Sequence, residues 1–346
     1  MTLKILTVLA GAKVGGAETF FVSLTSALKR AGVDVRSVLK PNKDRQEALA
    51  TQGVVFRTAP FGSLLDFATA ATLRHVAQDF HPDAILAFAG RAASFLPRGE
   101  FVRIGRLGGY YNLKNFARCD HLVCNAPDLV RYVKDGGWPK ERVTLIPNFP
   151  AVVDGAKLDR AVFDTPTDAP LALALGRLHP NKGLDILIRA VAGIPDLFVW
   201  IAGEGPERDN LERLSHKLGV DARVKFLGWR NDRASLFKTA DLCVYPSREE
   251  PFGNVVVEAW ACGTPLLTTA STGPRWLVKD GADAVLTPVD DVPALASGIR
   301  TLLQSPALRT SLAAAGKRRV ADEFSEQAIV ARYIALFERL TGKAHR

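Results

Sequence analysis

The chain has 346 residues, 47% hydrophobic and 23% charged, with a formal net charge of +9. That length suits two domains of ordinary size, the composition is that of a globular protein, and no apolar run approaches the ~18 residues that suggest a membrane span. Met1-Thr2-Leu3-Lys4 leads directly into a short apolar segment without a small-residue cleavage pattern, so the start reads as a buried strand, not a signal peptide, and the protein is expected in the cytoplasm.

In chain order, strand-like apolar runs alternate with helical patterns. Residues 5–10, 33–39, 54–58, 84–88, 102–107, 121–125 and 143–146 read as strands, with helices at 17–31, 45–51, 64–79 and 127–135. After Pro147-Asn148-Phe149-Pro150, the Asp-, Pro- and Ala-rich stretch up to Pro170 carries no convincing strand and reads as an interdomain crossing. A second series follows: strands at 171–176, 198–202, 224–227, 242–245, 265–269 and 284–287, and helices at 183–192, 207–218, 234–239 and 254–261. Repeated βα order predicts an α/β protein with two doubly wound, mostly parallel sheets, each binding ligands at the carboxyl ends of its strands. The expected domains are residues 1–150 and 151–324. The apolar stripe of Ala328, Ile329, Tyr333, Leu336, Phe337 and Leu340 predicts a final helix within 325–346 that crosses back to the first domain.

Charge is placed unevenly. Residues 1–150 carry 20 Lys+Arg against 12 Asp+Glu, and residues 151–346 carry 25 against 24, so the excess is +8 of +9 in the first half. A basic first domain suggests an anionic partner, either nucleic acid or an anionic membrane or glycolipid surface; the plain alternative is a solubilising surface charge.

Glu258 is the only charged residue between Pro251 and Pro274. A helix face exposed to water normally carries charges at i±3 and i±4, but here those positions hold Asn254, Val255, Ala261 and Cys262. A carboxylate in such surroundings needs hydrogen-bond donors from the protein or a ligand. Glu250 lies eight residues earlier, before the Gly253-Asn254 entry to the helix, so both carboxylates can border one cleft at the helix N-terminus, where amides suit a phosphate.

Two other loops suit anions. Gly15-Gly16 follows the first strand and opens the first helix, without the spacing of a Walker A loop or a GxGxxG. Arg177 and Lys182 follow the first strand of the second domain and lie just before a helix, a suitable pair of cations for a diphosphate. The four cysteines and six histidines are dispersed, with no CxxC, HxH or HExxH, so the thiols read as reduced and buried and no metal is expected.

Taken in order, Gly15-Gly16-Ala17-Glu18, Ile146-Pro147-Asn148, Gly176-Arg177-Leu178 with Lys182-Gly183, Gly203-Glu204-Gly205-Pro206, Tyr245-Pro246-Ser247, and Glu250 with Glu258 before Gly263-Thr264-Pro265 make the chain resemble the retaining glycosyltransferases of the GT-B fold, glycosyltransferase family 4. The resemblance covers nearly the whole chain. It implies two facing Rossmann-like domains, an N-terminal one on the acceptor side and a C-terminal one that binds a nucleotide sugar. It implies that Glu258 binds ribose hydroxyls, that Glu250 with the amides of Phe252, Gly253 and Asn254 holds the donor sugar, and that Arg177 and Lys182 hold the diphosphate. Gly228 and Trp229 would lie near the base, and Gly15 and Gly16 would approach the donor phosphates. Glu250, Arg177 and Lys182 are the implied catalytic residues, transfer is retaining, and neither metal nor cofactor is required.

Two segments depart from the family pattern. Many relatives carry a His facing the donor sugar where this chain has 87–91 or 107–110 without one, and Thr272-Gly273-Pro274-Arg275 replaces a common Gly-Gly-x-x-Glu. The acceptor is expected to be a glycan or glycolipid of a bacterial surface polysaccharide such as lipopolysaccharide, presented at an anionic membrane surface. The apolar segment 61–67, with Phe61, Leu64, Leu65 and Phe67, would dip into that interface. A soluble small-molecule acceptor and, in another class, a basic nucleic-acid-binding protein remain alternatives, although the chain lacks a nucleic-acid-binding module and no nucleic acid partner is expected. The residues do not select a donor base; a UDP-sugar is favoured on general grounds alone.

Overall fold

The computed structural model describes residues 2–12, 15–62, 66–151 and 154–345. It comprises two compact units, Met1–Asn148 with Glu326–Arg346, and Phe149–Ser325.

The first unit runs β1 (Lys4–Leu9), α1 (Gly16–Arg30), β2 (Asp34–Leu39), α2 (Lys43–Thr51), β3 (Val55–Thr58), α3 (Phe67–Phe80), β4 (Ala84–Phe88), α4 (Ala89–Ser94), β5 (Val102–Leu107), β6 (His121–Cys124), α5 (Pro127–Asp135) and β7 (Val143–Leu145). Its strands form one sheet in the order β3-β2-β1-β4-β5-β6-β7, and every pairing is parallel. Helices on the sheet faces explain why β1 and β4 are apolar without alternation: Ile5, Leu6, Val8, Ile85, Leu86 and Ala87 are all fully buried.

The second unit runs β8 (Leu171–Leu175), α6 (Leu184–Ala192), β9 (Phe198–Ala202), α7 (Arg208–Lys217), β10 (Val224–Gly228), α8 (Arg233–Thr239), β11 (Leu242–Tyr245), α9 (Asn254–Cys262), β12 (Leu266–Thr269), α10 (Thr272–Leu277), β13 (Val285–Thr287), α11 (Val292–Gln304) and α12 (Pro306–Glu323). Its parallel sheet has the order β10-β9-β8-β11-β12-β13. One face of the sheet, through Ala172, Ala174, Val199 and Ile201, forms a core with α6 and α11, in which Leu187, Ile188, Val191, Leu197, Leu295 and Ile299 cluster. The last helix, α13 (Glu326–Thr341), belongs to the first unit. It packs by Ile329, Tyr333 and Phe337, all fully buried, and Arg30 of α1 pairs with Glu326 at 2.7 Å.

The expected strands agree with the observed ones to within a residue at each end. Four helices had no counterpart in the sequence reading: α4, α10, α11 and α12. Helix α4 begins at Ala89, whose φ of 64° is left-handed, a conformation no periodicity announces. In α12 only Leu312 and Gly316 are buried along eighteen residues, too few for an amphipathic stripe.

In each sheet the order of connection reverses once, between β1 and β4 in the first unit and between β8 and β11 in the second. Loops leaving the carboxyl ends of those strands turn to opposite faces and leave a crevice, the usual ligand position of such sheets.

Candidate active site

The loops after β8 and β11 meet at the switch point of the second unit. Gly183, at φ 62°, comes so close to the β11 loop that a Cβ would lie 2.1 Å from the Pro246 carbonyl oxygen. The Asn181 carbonyl accepts from the amides of Arg248 and Glu249 at 2.8 and 3.2 Å. Arg248 then reaches back with a two-pronged bond to Asp185, 2.8 Å on each arm. The loops after β8 and β9 are joined as tightly, since a Cβ on Gly203 (φ 154°) would lie 1.9 Å from the Gly176 carbonyl oxygen. The backbone of this crevice is therefore fixed before any ligand arrives.

Inside that frame Lys182, Tyr245 and Glu250 converge. Lys182 Nζ pairs with Glu250 Oε2, Tyr245 Oη donates to the same oxygen, and Lys182 Nζ stands 3.2 Å from Tyr245 Oη. Burial presses the Lys182 ammonium down, but Tyr245 and Glu250 outweigh it, and the group stands above the ordinary lysine range. Burial together with the Glu250 carboxylate pushes the Tyr245 phenol up. The triad thus holds a protonated amine, a neutral phenol and a carboxylate in fixed relation.

Glu258 lies one helical turn into α9 and is 2% exposed. Its donor comes from the protein: Arg233, the first residue of α8, pairs with Glu258 Oε2. Burial pushes Glu258 up and Arg233 opposes that push. Helix α9 starts from Gly253 at φ 100°, which has no side chain to accept from the first turn, and it has no acid in that turn. Phe252 is buried, and its carbonyl oxygen lies 2.3 Å from where a Cβ on Gly273 would be. The Gly273 amide donates to the Glu250 carbonyl at 2.7 Å, so α10 braces the loop leading into Asn254.

Arg177 differs from Lys182: it is exposed and makes no ion pair among the described residues, so its charge is available to an anion. Gly228, at φ 68°, ends β10, where its carbonyl accepts from the Gly203 amide at 2.8 Å. Trp229, which follows it, is 46% exposed. Arg177, Lys182, Gly228, Trp229, Glu250, Phe252, Gly253, Asn254 and Glu258 all lie in the second unit, at a carboxyl strand end or on a loop or helix that leaves one.

Gly15 and Gly16 lie in the first unit at the start of α1, the Gly15 carbonyl accepting from the Thr19 amide at 3.0 Å. The neighbouring Glu18 folds back over the loop: its Oε1 accepts from the Ala12 amide at 2.8 Å, and a Cβ on Gly15 would lie 2.4 Å from its Oε2. The interfacial segment expected at 61–67 needs correction at Phe61, which is 2% exposed, packed edge-on against Phe95 with 5.9 Å between ring centres. Packing against another aromatic ring removes it from any surface. Leu64 and Leu65 lie outside the described residues, and Phe67 is 77% exposed. Among the described residues no three His, Cys, Asp or Glu side chains converge as metal ligands.

A family model described as Glycosyl transferases group 1 matches residues 156–319, and one described as Glycosyltransferase Family 4 matches residues 14–149. A lipopolysaccharide core biosynthesis glycosyltransferase, LpsE of Rhizobium meliloti (strain 1021), is 37% identical over 331 residues, 94% of this chain and 96% of the relative. The chain belongs to glycosyltransferase family 4. LpsD of the same organism, also described as a lipopolysaccharide core biosynthesis glycosyltransferase, is 36% identical over 335 residues, 95% of this chain and 96% of its own. Among solved structures, Anabaena Alr3699/HepE in complex with UDP and glucose superposes with a TM-score of 0.82 at 23% identity, covering 99% of this chain and 100% of that one. WaaG, described as a glycosyltransferase involved in lipopolysaccharide biosynthesis, gives 0.73 at 18% identity, covering 99% and 100%. Both likenesses establish the fold: two Rossmann-like parallel-sheet domains of the GT-B class.

Two members of this glycosyltransferase's crevice escaped the sequence reading. Arg233 is 25 residues from Glu258 and in an ordinary polar stretch, Arg230-Asn231-Asp232-Arg233, with nothing local to distinguish it. Tyr245 stood in a quoted motif without a role; a phenol ending an apolar strand at a switch point was the available signal.

Proposed function

We propose that this glycosyltransferase moves a sugar from a nucleotide-diphosphate sugar to a glycan or glycolipid acceptor in lipopolysaccharide core synthesis, with retention of anomeric configuration and without a metal ion. The observation that carries this reading is the arrangement around α9: two carboxylates eight residues apart, one tied to Lys182 and Tyr245 and the other to Arg233, beside an uncapped helix N-terminus. The acceptor class draws support from the two Rhizobium relatives, and the donor class from the UDP and glucose of the Anabaena complex.

In this reading the second unit takes the donor and the first takes the acceptor. Glu258, with Arg233 on one oxygen, receives the ribose hydroxyls. Glu250, oriented by Lys182 and Tyr245, accepts from hydroxyls of the donor sugar, with the amides of the Phe252–Asn254 turn beside it. Arg177, exposed and without an ion pair among the described residues, offers its planar fork to the diphosphate, while Lys182 supplies a second fixed positive charge as the leaving diphosphate develops its own. Those cations and the first turn of α9 do the electrostatic work that a divalent ion does elsewhere. Trp229 borders the base. No helix among the described residues is long and apolar enough to cross a membrane; the basic first domain and exposed Phe67 suit reversible contact with an anionic leaflet from the cytoplasmic side.

The test is transfer. Purified protein is incubated with a panel of labelled nucleotide sugars and truncated lipopolysaccharide from a strain deleted for the enzyme. Label in the lipid fraction with one donor, its new linkage of the same anomeric configuration, is expected. Label on soluble sugars alone would replace the glycolipid acceptor by a small molecule.

A further inference from the structure

Arg106, near the carboxyl end of β5, is 2% exposed and makes no ion pair among the described residues. Its Nε donates to Tyr333 Oη at 3.1 Å and its Nη2 to Asn148 Oδ1. Its guanidinium carbon lies 4.4 Å from the centre of the Phe20 ring and 5.2 Å from that of Phe88. All four partners are neutral. A guanidinium enclosed in this way without a carboxylate is costly, so its charge calls for an anion.

A tether from β5 to Asn148 and α13 would account for Nε and Nη2, but not for the remaining nitrogen. Nη1 lies 3.4 Å from the point a Cβ would occupy on Gly108, and Asn125 Nδ2 lies 3.7 Å from that same point. Asn125 is 3% exposed, and its Oδ1 has no hydrogen-bond partner among the described residues. Gly108 and Gly109 are partly exposed, so solvent reaches the place where these groups meet. Buried polar atoms are almost always paired, and an orphaned amide beside an unpaired cation marks a place for a ligand.

We propose that Arg106, Asn125 and the Gly108 backbone form a subsite for an anionic sugar, a sugar phosphate or a sugar carboxylate, that recognises the charged group of the acceptor. The anionic oxygen accepts from Arg106 Nη1 and Asn125 Nδ2, and an adjoining ring hydroxyl donates to Asn125 Oδ1. Glycine at 108 leaves the room between the two donors. Assignment of this ligand to the acceptor rests on the glycosyl-transfer reading above; binding of the anion does not.

Calorimetry on the full chain tests it, in an Arg177→Ala background that removes the donor-side cation. The probes are glucose 6-phosphate, glucuronate and neutral glucose. Binding of either anion is expected, glucose 6-phosphate alone indicating a phosphate and glucuronate alone a carboxylate. Gly108→Ala fills the space and Asn125→Asp sets a rival carboxylate beside Arg106; each is expected to weaken the anion by about ten- to a hundred-fold, with glucose unaffected. Two variants guard against one failing to fold, and Arg106 itself, which also holds Tyr333 and Asn148, is left in place. Failure of both anions to bind, or affinities unchanged in the variants that fold, would overturn the subsite while leaving sugar transfer untouched.

Discussion

Removing Arg233 should harm the protein more than removing the charge of its partner. Glu258 has a side chain 2% exposed and Arg233 one 23% exposed, so Arg233→Ala strands a carboxylate in the core, whereas Glu258→Gln leaves an arginine that can turn to water. Breaking a buried pair so that the more buried charge is left alone costs about 3–5 kcal/mol; the partial exposure at Arg233 lets some water in, which points to about 3 kcal/mol. For a unit of this size that lowers the midpoint of thermal unfolding by roughly 6–12 °C. Glu258→Gln is expected to cost about 1 kcal/mol or less, and the double variant to recover most of the loss. The pH dependence has a definite sign. With Arg233 gone, burial alone acts on Glu258 and its folded-state pKa stands above the unfolded value, so the native state binds the extra proton. Stability of Arg233→Ala should then fall as pH rises from about 4.3 through the raised pKa, and return on acidification. Urea unfolding at pH 7 and 5.5, followed by the fluorescence of buried Trp260, two residues after Glu258, measures this. A loss under about 1 kcal/mol in Arg233→Ala, or a larger loss in Glu258→Gln, would refute the picture of a buried carboxylate held by one arginine.

Glu258→Gln should weaken nucleotide binding by about 1.5–3 kcal/mol in calorimetry despite its small effect on folding. Arg177→Ala should lower turnover by roughly 10²–10³ with the fold intact, and activity should survive EDTA; loss on chelation with recovery on adding magnesium would contradict transfer without a metal. Gly203→Ala should cost about 2–4 kcal/mol, because its Cβ would fall 1.9 Å from the Gly176 carbonyl oxygen at a φ of 154°, and turnover should fall with it as the Arg177 loop is displaced. His121, bonded to Thr144 Oγ1 at 2.8 Å, is held down to about 4 by burial and by Arg339 and Arg142. The unfolded chain therefore binds a proton that the native state refuses between about pH 6.5 and 4, and about 2–3 kcal/mol of stability should be lost on acidification through that window. His121→Gln should flatten that slope in urea titrations.

The strands were legible because parallel strands buried on both faces are apolar throughout, as Leu171-Ala-Leu-Ala-Leu175 shows, and the loops because glycine is required where two carboxyl-end turns nearly touch. Glu258 was legible by its isolation, since a lone charge in an apolar helix contradicts its surroundings. Its partner was not: Arg233 is remote in sequence and only the fold brings it there. The same holds for Tyr245 and for Arg106, whose burial beneath Phe20 and α13 depends on segments more than 80 and 200 residues away. Phe61 shows the converse, a residue of an apolar segment read as surface but claimed by Phe95. Local pattern identifies what a residue requires, and tertiary packing decides who supplies it.

In the proposed function, the crevice at the carboxyl ends of β8 and β11 holds a nucleotide-diphosphate sugar for transfer. Release of nucleoside diphosphate, followed continuously with truncated lipopolysaccharide as acceptor and compared among wild type, Arg177→Ala and Glu250→Gln, tests it most directly. Acceptor-dependent release by the wild type, depressed by at least about 10²-fold in Arg177→Ala and strongly in Glu250→Gln, is expected. Release at the wild-type rate in both variants would contradict the placement of the chemistry in this crevice.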